Sequence, residues 1–183
     1  MLETDAVELD DSPLQEPVIY KYYAFHKPRG IECTLNPEIS NNLRDLLPFA
    51  GNFFPVGRLD LQSEGLLLIT NNGKLYQQIA LSEKIVEKEY EVTVEKEVSD
   101  EDLRKLAAGV IILGDKITRP AKVARINATA FNIILTQGLN RQIRRMVHTL
   151  NNHVTKLRRL RISKVKLLGL QPGEFRELNV EDI

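Results

Sequence analysis

Apolar positions in this chain fall into many short runs, most alternating with polar neighbours and only a few carrying the three-to-four spacing of a helix. Residues 20–27 alternate weakly and stop at Lys27-Pro28-Arg29-Gly30, where proline and glycine end a strand in a loop. Runs at 53–56 and 65–70 read as buried strands on either side of a loop that contains Asp60. In 88–94, Tyr90, Val92 and Val94 alternate with charged neighbours, the mark of a half-exposed strand. Short β segments follow at 110–113, 121–126 and 131–136, and strand-like sequence covers 154–168.

Four segments have helical character. A short helix is predicted over 42–47, closed by Pro48, and another over 74–81 after the turn signal Asn71-Asn72-Gly73. Ser99 is a natural N-cap, followed by acids in the first turn and by Gly109 as the stop. The clearest helix is 140–150: Ile143, Val147 and Leu150 line one face, and Arg141, Arg144, Arg145 and His148 take the rest. Hairpins mixed with a few helices predict an α+β fold with a mixed, largely antiparallel sheet. Residues 1–18 are acidic, contain Pro13 and Pro17 and lack periodicity, so they are expected to be a mobile tail ahead of one domain over 19–183.

Composition adds compartment and partner. At 183 residues, 43% of them hydrophobic and 27% charged, the chain suits one globular domain. It has no apolar run of membrane-span length and no basic-then-apolar signal pattern, and its single cysteine, Cys33, excludes an internal disulfide. A reducing compartment, the cytoplasm, is the expected address. The net charge of zero hides a segregation. Glu3, Asp5, Glu8, Asp10, Asp11 and Glu16 crowd the start, whereas 116–173 contains no acid at all and recurrent Arg and Lys. Any one basic run is commonly a solvated face, but one this long points to a polyanionic partner.

The usual catalytic constellations are missing. There is no phosphate-binding or dinucleotide-binding glycine loop, and Ser63, in Gln-Ser-Glu-Gly, is not a nucleophile elbow. His26, His148, His153 and Cys33 are too scattered for a zinc site, and a metal-dependent nuclease would need several clustered carboxylates. Asp60 remains, beside Arg58 and within a strongly basic sequence. An aspartate among arginines suits a nucleophile or an electrostatic stabiliser rather than a proton donor. Taken alone, it would read as a structural Asp–Arg pair capping a loop.

Four motifs in order change that reading: Lys27-Pro28-Arg29-Gly30; Gly57-Arg58-Leu59-Asp60 with Gly65-Leu66-Leu67-Leu68; Lys88-Glu89-Tyr90-Glu91-Val92; and Asn140-Arg141-Gln142-Ile143-Arg144-Arg145-Met146. With Lys156-Leu157-Arg158-Arg159-Leu160-Arg161-Ile162, they resemble the RsuA-type ribosomal RNA pseudouridine synthases from Tyr20 onward. The resemblance implies that Asp60 is the essential aspartate, Tyr90 the aromatic that packs on a flipped base, Arg144 the arginine paired with Asp60, and Leu157 the apolar wall. It implies RNA contacts from Lys27, Arg29 and Arg58, and a general electrostatic role for Arg141, Arg145, Arg158, Arg159 and Arg161. Isomerising a uridine exchanges a C–N for a C–C glycosidic bond without redox change, so no cofactor and no metal are expected. The partner implied is ribosomal RNA or a ribosome assembly intermediate, with no obligate protein partner. With a catalytic strand starting near Tyr20 and no S4-type RNA-binding domain ahead of it in this sequence, the chain is expected to resemble the compact large-subunit branch of the family or to be a trimmed piece of a longer protein. The competing expectation is a non-catalytic RNA-binding or ribosome-assembly module with the same fold.

Overall fold

The computed structural model describes residues 19–48, 52–77, 79 and 86–183, and the backbone of β1 (Glu8–Leu9) paired with β2 (Ser12–Pro13). The rest of the expected tail over 1–18 lies outside the described residues. Nine strands form the main sheet: β3 (Tyr22–Lys27), β4 (Phe54–Val56), β5 (Glu64–Thr70), β6 (Lys88–Val94), β9 (Lys122–Asn127), β10 (Ala130–Leu135), β11 (Val154–Ile162), β12 (Val165–Lys166) and β13 (Phe175–Leu178). The order is β13-β3-β5-β11-β6-β10-β9, with β4 added to β5 and β12 to β11. A separate hairpin, β7 (Ile111–Ile112) with β8 (Lys116–Ile117), pairs only with itself.

Every pairing in the main sheet is antiparallel except β5 with β11, where Glu64 lies opposite Arg158 and Gly65 opposite Arg159. This parallel seam joins two antiparallel halves and confirms the α+β, mostly antiparallel expectation. Gly65 makes the seam possible. Its φ is +108°, and a Cβ there would overlap the Arg159 carbonyl oxygen and lie 2.5 Å from the Arg159 nitrogen.

Three cores pack against the sheet. Val92, Phe131 and Ile133 of the sheet pack against α2 (Asp100–Ala108) and against α3 (Gln142–His148), which contributes Met146 and Val147. Tyr22, Ala24, Leu66, Leu68, Ile162 and Leu178 form a second core, and Phe25, Cys33, Leu43, Leu67 and Ile69 a third. The second and third cores lie on opposite faces of β3 and β5. A strand covered on both sides reads as a continuous apolar run, which is why Leu66 to Ile69 does not alternate. The edge strand β9 is its opposite: mostly exposed, and bearing Lys122 and Arg125.

The cap signals hold locally. The Ser99 hydroxyl accepts from the Asp102 backbone N–H while the Asp102 carboxylate accepts from the Ser99 N–H, a reciprocal capping box. The helix predicted over 42–47 is a single 3₁₀ turn, Leu43–Asp45, capped by Asn42. The one predicted over 74–81 starts as α1 (Gly73–Tyr76), capped by Asn72, and part of its expected length lies outside the described residues. Residues 154–168 divide into β11 and β12 at Ser163, whose φ is +51°. Strands β1, β2, β8 and β13 are additions to the predicted set.

Cys33 sits in the third core with its Sγ 4.0 Å from the Gly57 carbonyl oxygen, and burial pushes its thiol above the ordinary value. The native thiol is expected to resist an aromatic disulfide reagent that labels it rapidly in denaturant. Because the folded thiol holds its proton to higher pH than the unfolded one, its contribution to stability is lost as pH rises past 9.0. Urea titrations across that range should show a smaller alkaline loss for Cys33→Ala than for the native protein.

Candidate active site

The loop between β4 and β5 carries Asp60, and three anchors fix it. Leu59 is buried, Ser63 is buried, and the Ser63 backbone N–H donates to the Asp60 carbonyl at 3.0 Å. The Ser63 hydroxyl also donates to Asp60 Oδ2 at 3.2 Å. From the other side, α3 delivers Arg144, whose Nε donates to the same Oδ2 at 3.1 Å. Its Nη2 donates to the Gln62 carbonyl at 3.0 Å and its Nη1 to the Val154 carbonyl at 3.2 Å. One guanidinium thus ties the carboxylate, the loop and the start of β11 together. Arg141 adds a longer contact, Nη1 to Oδ2 at 3.6 Å. All these side-chain contacts fall on Oδ2, so Oδ1 is unengaged among the described residues.

The Asp60 and Arg144 side chains are 26% and 14% exposed, so the pair is reachable but largely withdrawn from water, where its attraction is screened less than at the surface. Asp60 opens on a cleft of about 580 Å³, a size suited to a small organic ligand. Tyr90, Leu157, Leu139 and Ile162 supply apolar wall, and Arg58, Lys88, Arg141 and Arg159 supply cations. Strand alternation creates this lining. Tyr90 on β6 lies opposite Arg159 on β11, and Leu157, two residues before Arg159, shares its face.

The same alternation sends Arg158 away from the cleft, and an irregularity in the strand sends Arg161 after it. Arg158 pairs with Glu91 at 3.1 Å, and Arg161 pairs with Glu89 at 2.9 Å and Glu87 at 3.0 Å. A register shift between Arg159 and Arg161 puts Leu160 and Arg161 together in a hollow on that far face. The general electrostatic role expected of these two arginines is narrowed by their partners: they belong to a ladder of ion pairs on the face away from the cleft. Replacing both by glutamine is expected to leave the salt dependence of RNA binding unchanged. Arg58→Gln, at the cleft mouth, should flatten the log–log slope by about 0.7.

Lys27 also needs correction as an RNA contact. It is fully enclosed, its Nζ donates to the Pro28 carbonyl at 2.8 Å, and burial pushes its ammonium below the ordinary value. Because β3 is an interior strand, Lys27 ends up behind the Asp60 loop. Arg29 does stay exposed, its Nε on Gln62 Oε1 at 2.8 Å, and Arg58 is exposed on the cleft. Arg145 turns back to the Asn140 carbonyl at 3.0 Å.

Arg159 is only 3% exposed, donating to the Leu66 carbonyl at 2.7 Å and the Arg58 carbonyl at 3.4 Å, while its Nη2 has no partner among the described residues. Lys88 was no candidate in the sequence, yet it lines the cleft. Burial, and then the Arg159 charge, push its ammonium below the ordinary value. The alternating Lys88-x-Tyr90 pattern was the signal that could have placed it there. Among the described residues, no three His, Cys, Asp or Glu side chains cluster as metal ligands, and no helix is long and apolar enough to cross a membrane.

A carboxylate held by arginine, in a cleft with one aromatic wall and several cations, suits chemistry on a nucleotide. Comparison with known proteins agrees. The family model for RNA pseudouridylate synthase matches residues 21–149. The dual-specificity RNA pseudouridine synthase RluF of Salmonella typhi is 43% identical over 160 residues, covering 87% of this chain but only 55% of that protein. This chain thus spans about half the length of RluF. Ribosomal small subunit pseudouridine synthase A of Escherichia coli K12 is 32% identical over 187 aligned residues, covering 100% of this chain and 81% of that protein. A crystal structure of a pseudouridylate synthase superposes with a TM-score of 0.84 at 27% identity, over 99% of this chain and 81% of the other. The chain belongs to the RNA pseudouridylate synthase family.

Proposed function

We propose that this chain isomerises uridine to pseudouridine in ribosomal RNA, with large-subunit RNA or an assembly intermediate as its substrate and the cytoplasm as its place of action. The observation that carries the reading is Asp60, with Oδ2 held by Arg144 and Oδ1 unengaged among the described residues, lining a cleft walled by Tyr90 and Leu157.

A base inside a helix cannot be detached, turned and rejoined, so the uridine must leave its stack, at a cost of about a few kcal/mol. Arg29, Arg58 and Arg141 grip phosphates around the extruded nucleotide, and Tyr90 holds the base by its ring face. Breaking the C1′–N1 bond sends its electron pair to the uracil. The free oxygen of Asp60 then works on the sugar, through C1′ or a neighbouring proton, while Arg144 keeps the carboxylate oriented. Rotation of the uracil brings C5 to C1′; as the new C–C bond forms, the Asp60 oxygen leaves C1′ or returns the proton it took, the C5 proton passes to water, and N1 takes up a proton. Nothing is oxidised or added, so the residues of the cleft suffice.

The test is proton release from ribosomal RNA carrying tritium at uridine C5, measured on separated large- and small-subunit RNA and on ribosomal particles. Release from the large-subunit RNA or particle supports the proposal in full. Release from the small-subunit RNA alone keeps the reaction and moves the substrate. No release from any of them by a folded protein leaves a binding module.

A further inference from the structure

Across α3 from the Asp60 cleft lies a second hollow of about 520 Å³ that the reaction described above does not use. One wall is the β7–β8 hairpin, through Ile111, Ile112 and Leu113. The other is α3 and what flanks it, through Arg141, Arg145, His148 and His153. No carboxylate belongs to the lining. The His148 and His153 rings, both in the lining, lie 5.8 Å apart and 37° from parallel.

The hairpin itself is unusual. Ile111, Leu113 and Ile117 are 57%, 46% and 66% exposed, three large aliphatic side chains on one small two-stranded element. A single exposed isoleucine needs no explanation, but three together on a protruding hairpin mark a contact surface. The hollow also adjoins the Asp60 cleft: Arg141 lines both, and Arg144 reaches from the hollow to Asp60.

Resting on the RNA reading above, we propose that this hollow holds a second nucleotide of the substrate strand, its base against Ile111, Leu113 and the imidazoles and its phosphate on Arg141 and Arg145. Apolar and flat surfaces beside fixed cations match a base joined to a phosphate, since base stacking tolerates any sequence and the cations follow the backbone. An acidic protein segment would match the cations but would leave the aliphatic wall without a fitting partner. The shared arginines settle the choice, because a strand that delivers its uridine to Asp60 passes over them.

The test uses the whole protein labelled at isoleucine and leucine methyl groups, titrated with a single-stranded oligoribonucleotide, with inorganic phosphate and with an oligoglutamate peptide. The oligoribonucleotide should shift the Ile111 and Leu113 methyl signals. Ile111→Ser and His148→Ala, with melting temperatures unchanged, should each weaken its binding by about tenfold. Equal shifts from inorganic phosphate would reduce the hollow to an anion site and overturn the proposal. Shifts from the peptide alone would give it to a protein partner. If the RNA moves the Leu157 methyl in the Asp60 cleft but leaves Ile111 and Leu113 still, the second subsite does not exist. Failure of the enzyme reading is separable, since it would appear as no tritium release with the hollow still occupied.

Discussion

Asp60→Asn is expected to lower single-turnover pseudouridine formation by about 10⁴-fold or more, the scale seen when a nucleophile acting within a concerted site is removed. The substitution keeps shape and removes charge. Its amide or carbonyl can still meet Ser63 and Arg144, so the loop between β4 and β5 should keep its position. RNA affinity should hold or rise, because Arg141 and Arg144 then face the RNA without the carboxylate that neutralises them. The paired outcome is diagnostic: tritium release lost, with RNA binding retained by a protein whose circular dichroism and melting curve match the native one. If the variant keeps substantial activity, Asp60 is a structural partner of Arg144 and the chemistry belongs to another group. If binding and activity fall together in a folded protein, Asp60 shapes the RNA surface.

How much of this site could be read from the chain depends on which physical signal each residue carried. Asp60, Tyr90, Arg144 and Leu157 come from four separate elements, and the fold brings them to one cleft or its rim. Periodicity placed each on the right kind of element, and the motif order resembled a family, but only the seam between β5 and β11 brings them together. The arginines were harder. A run such as Leu157-Arg158-Arg159-Leu160-Arg161 shows abundant charge and hides its direction. In the folded strand, Arg159 faces the cleft, while Arg158 and Arg161 face glutamates of the neighbouring β6 and the residue just before it. Those partners are far away in sequence. Lys27 was misread for a related reason. A lysine before Pro-Arg-Gly looks like a loop cation, but β3 lies between β13 and β5 and is covered on both faces. Strand β13 was invisible because Phe175-Arg176-Glu177-Leu178 is short and half charged, and only pairing with β3 makes it a strand. Composition points toward an anionic partner, but not to which cations would meet it.

The seam itself yields the largest stability effect. Gly65→Ala is expected to destabilise the fold by about 3 kcal/mol or more, a melting-temperature loss of roughly 6–12 °C for a chain of this size. Two penalties combine. The alanine must hold a φ of +108°, and its methyl must enter the space of the Arg159 backbone. Gly173→Ala separates them: its φ is +90°, but nothing lies within 4 Å of an added Cβ, so it carries the strain alone, about 1–2 kcal/mol. If Gly65→Ala melts no lower than Gly173→Ala, the two strands can part without cost, and the close approach is not what joins the halves. The same substitution should reach the chemistry. Asp60 precedes β5, whereas Tyr90 and Leu157 lie on the other side of the seam, so a backbone shift near 1 Å changes the distance between carboxylate and base. A displacement on that scale can cost about 10²-fold in rate. Gly65→Ala, assayed well below its melting temperature, should therefore turn over more slowly while still binding RNA. Gly173→Ala should turn over like the native protein.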